Sequence, residues 1–215
     1  MKKKYFQHLF GIFFMCAAII STAARGNNLP DTIHIGWRYY SLGPMDYVIG
    51  TDTSVKHGGK ASGFIQHPFA QEPSTSIVTL MQLIAAEGFR HKRVKLTVYT
   101  RSIELESGAF FFFQVDGADT ILAYANTAAT MLEETNDWTL YHITLDVPEA
   151  AINIEFGVKM MPGQGTLWVD DFNLEVVDQA IPSDDWVGPR KMRVAVTKLK
   201  YQPYSKAMNL GFEDR

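Results

Sequence analysis

The residues with most chemistry to offer gather in one stretch, Ala109 to Gly117, read AFFFFQVDG. In an extended strand successive side chains point to opposite faces. Phe111, Phe113 and Val115 then share one face, which is purely apolar. Phe110, Phe112, Gln114 and Asp116 share the other, where aromatic planes stand beside an amide and a carboxylate. The first face suits a sandwich core and the second a surface that touches a ligand. Saccharides call for that mixture: C–H-rich ring faces lie on aromatic planes, and a few placed polar groups orient the hydroxyls. Outward positions of neighbouring strand-like runs add Tyr99, Arg101, Asn153, Glu155 and Lys159, and Gln82 joins them. The candidate ligand-binding set is Gln82, Tyr99, Arg101, Phe112, Gln114, Asp116, Asn153 and Glu155. The same residues equally suit a solvated sheet face with paired charges, such as Arg101 with Glu155.

Patterns for catalysis are missing. The sequence has no Gly-x-Ser-x-Gly, no His-Glu-x-x-His and no phosphate-cradling glycine loop. His8, His34, His57, His67, His91 and His142 lack metal-ligand spacing and read as surface residues beyond the signal segment. Asp116 and Glu155 imitate a glycosidase pair, but carboxylates on sheet faces are common. The expectation is a binding protein with no catalytic residues. A structural or protein-interaction sandwich is the alternative, and a hydrolase the third reading.

The elements that must position these residues are strands. Val94 to Arg101 alternates cleanly, with Val94, Leu96 and Val98 on one side. Trp138 to Val147, Ile152 to Met160 and Thr166 to Val177 repeat the pattern, and Ile77 to Ala86 reads as a further strand. Trp138 and Trp168 are expected in the core; Trp37, Tyr39 and Tyr40 in the core or at its rim. Short strands with turn signals between them predict an all-β fold, a two-sheet antiparallel β-sandwich.

The ends differ in composition. Lys2 to Lys4, the apolar run Leu9 to Ile20 and the small residues Ser21 to Ala24 form the pattern of a secretory signal peptide, residues 1–24. Its apolar run is shorter than the roughly 20 residues a membrane span needs. Cys16 lies inside it, so the mature chain is expected to have no cysteine. The formal net charge is -3, and removal of the signal lysines makes the chain more acidic still. An acidic exported chain is a poor partner for nucleic acid. Residues 27–178 read as the binding module and 179–206 as a linker that turns basic from Arg190, with an edge strand at 192–199.

A set of motifs in fixed order carries a resemblance. It runs Tyr47 to Gly50, Asp52, Gly59 to Ser62, Gln82, Lys92 to Val94, Val115-Asp116-Gly117, Asp137-Trp138, Asp146-Val147-Pro148, Phe156-Gly157 and Trp168 to Asp171. From Gly36 to Val177 the chain resembles the non-catalytic carbohydrate-binding modules with the galactose-binding-like jelly-roll fold. The resemblance implies a carbohydrate ligand on a sheet face or loop rim. It also implies a place beside a larger partner, since such modules occur attached to exported enzymes and some regulators; a catalytic domain in a longer or neighbouring chain is the expected one. Related jelly rolls hold a structural calcium beside the last strand, where Asp170 and Asp171 stand, and hard cations take carboxylate oxygens. They draw a further acid from an opening strand of Asn-Leu-x-Phe-Glu type. Asn28 to Asp31 departs from that type, whereas Met208 to Glu213 matches it, so the expected metal set is Asp170, Asp171 and Glu213. Residues 207–215 either begin a further module or return to this one, and the first of these is the favoured expectation.

The signal pattern predicts a mature chain beginning at Ala24 or Arg25 outside the cytoplasm. N-terminal sequencing of exported protein reads this directly, and an intact Met1 would refute it.

Overall fold

The computed structural model describes residues 36–68, 71–185 and 202–214, all within one compact unit, Thr32–Arg215. The expected signal peptide and the strand at 192–199 lie outside the described residues. Among the described residues nine strands carry the fold: β1 (Arg38–Leu42), β2 (Val48–Asp52), β3 (Ser62–His67), β4 (Ile77–Ala85), β5 (Lys92–Asp116), β6 (Ile121–Asn126), β7 (Leu132–Val147), β8 (Asn153–Met160) and β9 (Gly165–Val177). Every pairing between them is antiparallel. Among the described residues the only helical pieces are two short 3-10 turns, Glu87–Phe89 and Ala128–Thr130.

The runs Val94–Arg101 and Ala109–Gly117 turn out to belong to one strand of 25 residues. Its first half pairs with β7 and β9, and its second half with β8 and β6. Hydrogen bonding therefore continues through β5 from one layer into the other. The first layer runs β1-β4-β8-β5-β6, and the second runs β7-β5-β9-β3-β2. The bend shows as register shifts between Thr100 and Ala109. Glu104 and Gly108 take positive φ there, at 49° and 80°. β-Bulges of this kind bend a strand and let it turn a corner.

Both halves of β5 send one side into a shared core. Val94, Leu96 and Val98 from the first half meet Phe111, Phe113 and Val115 from the second. Ile154, Phe156 and Val158 of β8, Ile143, Leu145 and Val147 of β7, and Leu167 and Val169 of β9 complete it. The expected inward residues are in place, apart from Ile152, which precedes β8 and is exposed. Trp37 is a core residue, in contact with Phe156, Phe172 and Phe212. Trp168 is buried but lies on the outer side of β9, its Nε1 donating to Asp52 at 3.0 Å. Trp138 is not in the core; it sits half-buried with its edge toward His57. His67, expected at the surface, is 1% exposed beneath Tyr47.

Residues 202–214 pack back onto the sandwich rather than extending away from it. Tyr204 bridges the edge of β4, with Tyr204 N donating to Leu83 O and Ala85 N to Tyr204 O. Trp37 Nε1 donates to Asn209 O at 2.9 Å, and Phe172 N to Leu210 O at 3.0 Å. The Phe212 ring stacks on Trp37 at 4.8 Å and is 1% exposed, and Leu210 is partly buried against the same core. This geometry runs against the favoured account, in which the segment begins a further module. An apolar ring with a vacant place in the core beside Trp37 gains more by filling it than by standing in water.

Phe212→Ala should therefore lower stability by roughly 3–5 kcal/mol, as deletion of a core ring does. Denaturant unfolding measures it; a loss below about 1 kcal/mol would show that the segment contributes no core.

Candidate functional site

The outer face of the first layer carries side chains in rows that cross the strands. One row is Leu83, Glu155, Gln114 and Tyr124, on β4, β8, β5 and β6. Beside it run Met81, Gly157, Phe112 and Asn126, and then Tyr40, Thr79, Lys159 and Phe110. On the other side of Glu155 lie Ala85, Asn153 and Asp116. Diagonal neighbours on a sheet face stand about 7–8 Å apart, so Glu155, Gln114 and Asp116 form one polar group.

The middle of this face is buried. Phe112, Met81 and Leu83 form a small apolar cluster with Tyr124 against it. Lys159 Nζ lies 4.9 Å from the centroid of the Phe112 ring, a cation–π contact. Gly157 leaves the centre bare. A Cβ there would come within 2.1 Å of the Leu80 carbonyl oxygen and 2.8 Å of Met81 Cα. Only glycine permits that approach of β8 to β4.

The polar groups are held loosely or not at all. Gln114 Nε2 donates to Asp116 Oδ1 at 2.9 Å, and Asn126 Nδ2 to Tyr124 Oη at 3.0 Å. Asn153 Oδ1 is buried without a hydrogen-bond partner, and Thr79 Oγ1 has only the Tyr40 hydroxyl beside it. Burial pushes the Glu155 carboxyl up to about 7; the charge of Asp116 adds to the rise and Lys159 opposes it. Burial raises Asp116 too, against the Gln114 amide, and lowers Lys159, against Glu155. Burial also raises Tyr40 and Tyr124, and the Glu155 charge adds to both. Those tyrosines come from the two outer strands of the layer, so they flank one carboxylate from opposite sides.

The structure brings together Phe112, Gln114, Asp116, Asn153 and Glu155. It separates the other three candidates from them. Tyr99 and Arg101 stand before the bend in β5, so their outward side is the outer face of the second layer, across the core. There Tyr99 stacks on His57 at 3.5 Å, and Arg101 lies 3.8 Å from Asp137, not against Glu155. Gln82 shares its parity with Val78, Leu80 and Ile84 and points inward, where it both donates to Met208 O and accepts from Met208 N. Phe112 faces outward as expected but is 1% exposed, so its removal affects the fold as well as the face. Tyr40 and Tyr124 were missed as site residues. Tyr124 was legible, since it alternates with the small inward residues Ala123 and Ala125.

The expected calcium ligands do meet at one edge. A Cβ on Gly211 would lie 3.6 Å from Asp171 Oδ1, 3.7 Å from Asp170 Oδ1 and 3.7 Å from Glu213 Cγ. Their oxygens, however, face N–H groups. Asp170 Oδ2 accepts from His57 N and Gly58 N, and its Oδ1 from Asp171 N. Both Glu213 oxygens accept from Lys60 N, and Asp171 Oδ2 pairs with His57 Nδ1 at 2.8 Å. Among the described residues no three His, Cys, Asp or Glu side chains are arranged to hold a metal ion. As placed, the carboxylates tie the 52–60 loop to β9 and to the returning segment.

No family model matches the chain. Over 180 residues it is 30% identical to a Bacillus subtilis (strain 168) protein described as an uncharacterized HTH-type transcriptional regulator, YbfP, a match that covers 83% of this chain. The chain spans 57% of that relative's length. Among solved structures it is similar to the enzymatically active domain of tailspike protein 4 from bacteriophage CBA120, with a TM-score of 0.51 and 13% identity, over 66% of this chain and 19% of that one. It is also similar to a family 16 carbohydrate-binding module, with a TM-score of 0.47 and 14% identity, over 61% of this chain and 87% of that one. At these identities the likeness is one of fold. The fold is a two-layer antiparallel β-sandwich. No helix among the described residues is long and apolar enough to cross a membrane.

The raised carboxyl of Glu155 has a consequence for stability. Its pKa stands at about 7 in the folded chain against 4.5 ordinarily, so between those values the folded state holds the extra proton. Stability is then fully present below about pH 4.5 and is lost as pH rises through 7. Glu155→Gln should flatten that decline, by an amount on the order of 1–3 kcal/mol, in unfolding curves taken across this window. A variant that declines as steeply as the parent would disprove the assignment.

Proposed function

We propose that the outer face of the first layer binds carbohydrate without catalysis, as a module of a larger exported protein or assembly. One observation carries the reading: unpartnered polar groups alternate with aromatic planes on a single sheet face. Among the described residues Asn153 Oδ1 and the Glu155 carboxyl lack hydrogen-bond partners, and a buried polar group left unpaired costs about 1–3 kcal/mol. A hydroxyl-rich ligand supplies those partners, and Tyr40 and Tyr124 offer planes for its ring faces. Export rests on the signal pattern in residues 1–24. The match to a transcriptional regulator favours a second reading of the setting, in which the same face reports a ligand to a regulatory partner. Both settings use the same binding chemistry.

A glycan array followed by affinity electrophoresis tests the reading. Retention by at least one immobilised saccharide is expected. Tyr124→Ala should weaken it by on the order of 1 kcal/mol, with the fold monitored by near-ultraviolet circular dichroism. A chain that no saccharide retains would leave the protein-interaction sandwich in its place.

A further inference from the structure

Asp116 and Glu155 occupy diagonal positions on β5 and β8. Both lie on a face lined by Phe112, Tyr40 and Tyr124. Neither forms an ion pair among the described residues. Among the same residues Asp116 accepts one amide hydrogen bond, from Gln114, and Glu155 meets no hydrogen-bond donor. Titratable and charged groups face Glu155 from four strands. β1 supplies Tyr40, β5 supplies Asp116, β6 supplies Tyr124, and β8 supplies Lys159; the neighbours on β4, Met81 and Leu83, are uncharged. The one cation that faces Glu155 among the described residues, Lys159, rests over the Phe112 ring.

Carboxylates set among aromatic rings are the composition that recognises an ammonium group. Ring faces attract the cation, and the carboxylates accept charge-assisted hydrogen bonds from its N–H groups. The Lys159 ammonium shows that a ring of this face already receives one. An anionic ligand would instead bring a third negative charge beside two carboxylates.

Resting on the carbohydrate reading above, we infer that this face selects saccharides bearing a protonated amine, with Asp116 and Glu155 as the acceptors that hold it. Neutral sugars bind through the hydroxyl contacts alone, and uronic acids are rejected by charge. A bound ammonium favours the ionised carboxylate, so binding of an amine already protonated in solution releases a proton to the buffer when Glu155 is protonated beforehand.

The test titrates the full chain by calorimetry with four tetramers, of glucosamine, N-acetylglucosamine, glucose and galacturonate, at about pH 5.5, below the titration of the sugar amine, in two buffers of different ionisation enthalpy. The glucosamine tetramer should bind about tenfold tighter than its acetylated form or more, with an observed enthalpy that differs between the buffers by the heat of taking up the released proton. In Glu155→Gln the preference should shrink to about threefold or less and the proton release disappear; Asp116→Asn repeats the comparison if the first variant does not fold. Equal or tighter binding of the acetylated or galacturonate tetramer overturns the inference and leaves the carbohydrate reading standing. Failure of all four to bind, with the glycan array also empty, overturns both.

Discussion

One strand has to serve two layers. β5 is hydrogen-bonded to β7 and β9 along its first half and to β8 and β6 along its second. The alternative, two separate strands with a loop between them, would leave exposed backbone groups at the corner. The bend avoids that with bulges and with two residues at positive φ, Glu104 and Gly108. A Cβ on Gly108 would lie 2.6 Å from the sulfur of Met131 and 2.9 Å from the Leu132 carbonyl oxygen, so the corner needs a residue without a side chain. The arrangement of the molecule follows from this: the core is shared, and the two outer faces look away from each other.

The outer face of the first layer departs from what stability alone would favour. A sheet face built only to be solvated would carry paired charges and few rings. This one holds two carboxylates raised by burial, a lysine lowered by it, and polar atoms with nothing to bond. Burying such groups is costly, and they tend to concentrate where a ligand is handled. The second layer shows the contrast. Its outward charges meet opposite charges, Lys95 with Glu175, Arg93 with Asp146 and Arg101 with Asp137.

Much of this was readable from residue order. Period-two alternation placed the inward residues of β5, β7, β8 and β9, because each half-buried strand repeats its apolar face every second residue. The outward set Phe112, Gln114, Asp116, Asn153 and Glu155 followed from the same rule. Tyr99 and Arg101 were misplaced because alternation assigns a face within a strand but says nothing about which way that face looks after a bend. Gln82 was misplaced for a different reason. Its neighbours of equal parity are all apolar, so its own polarity suggested the surface, whereas the returning segment provides it with two backbone partners inside. Contacts between residues so distant along the chain leave no local periodicity to read.

The stacking of Phe212 on Trp37 joins residues from opposite ends of the sandwich in sequence. Between them the chain must lay down every strand of both layers. Non-local contacts of this kind slow folding, because ordering of the chain precedes the contacts that reward it. While the chain is being made, the pocket over Trp37 and Phe172 stands open until residue 212 has emerged. Over that interval the β4 edge that Tyr204 later covers is also unpaired, and exposed edges of this sort invite pairing with other chains. A polypeptide in this condition gains from shielding until residue 212 completes the core.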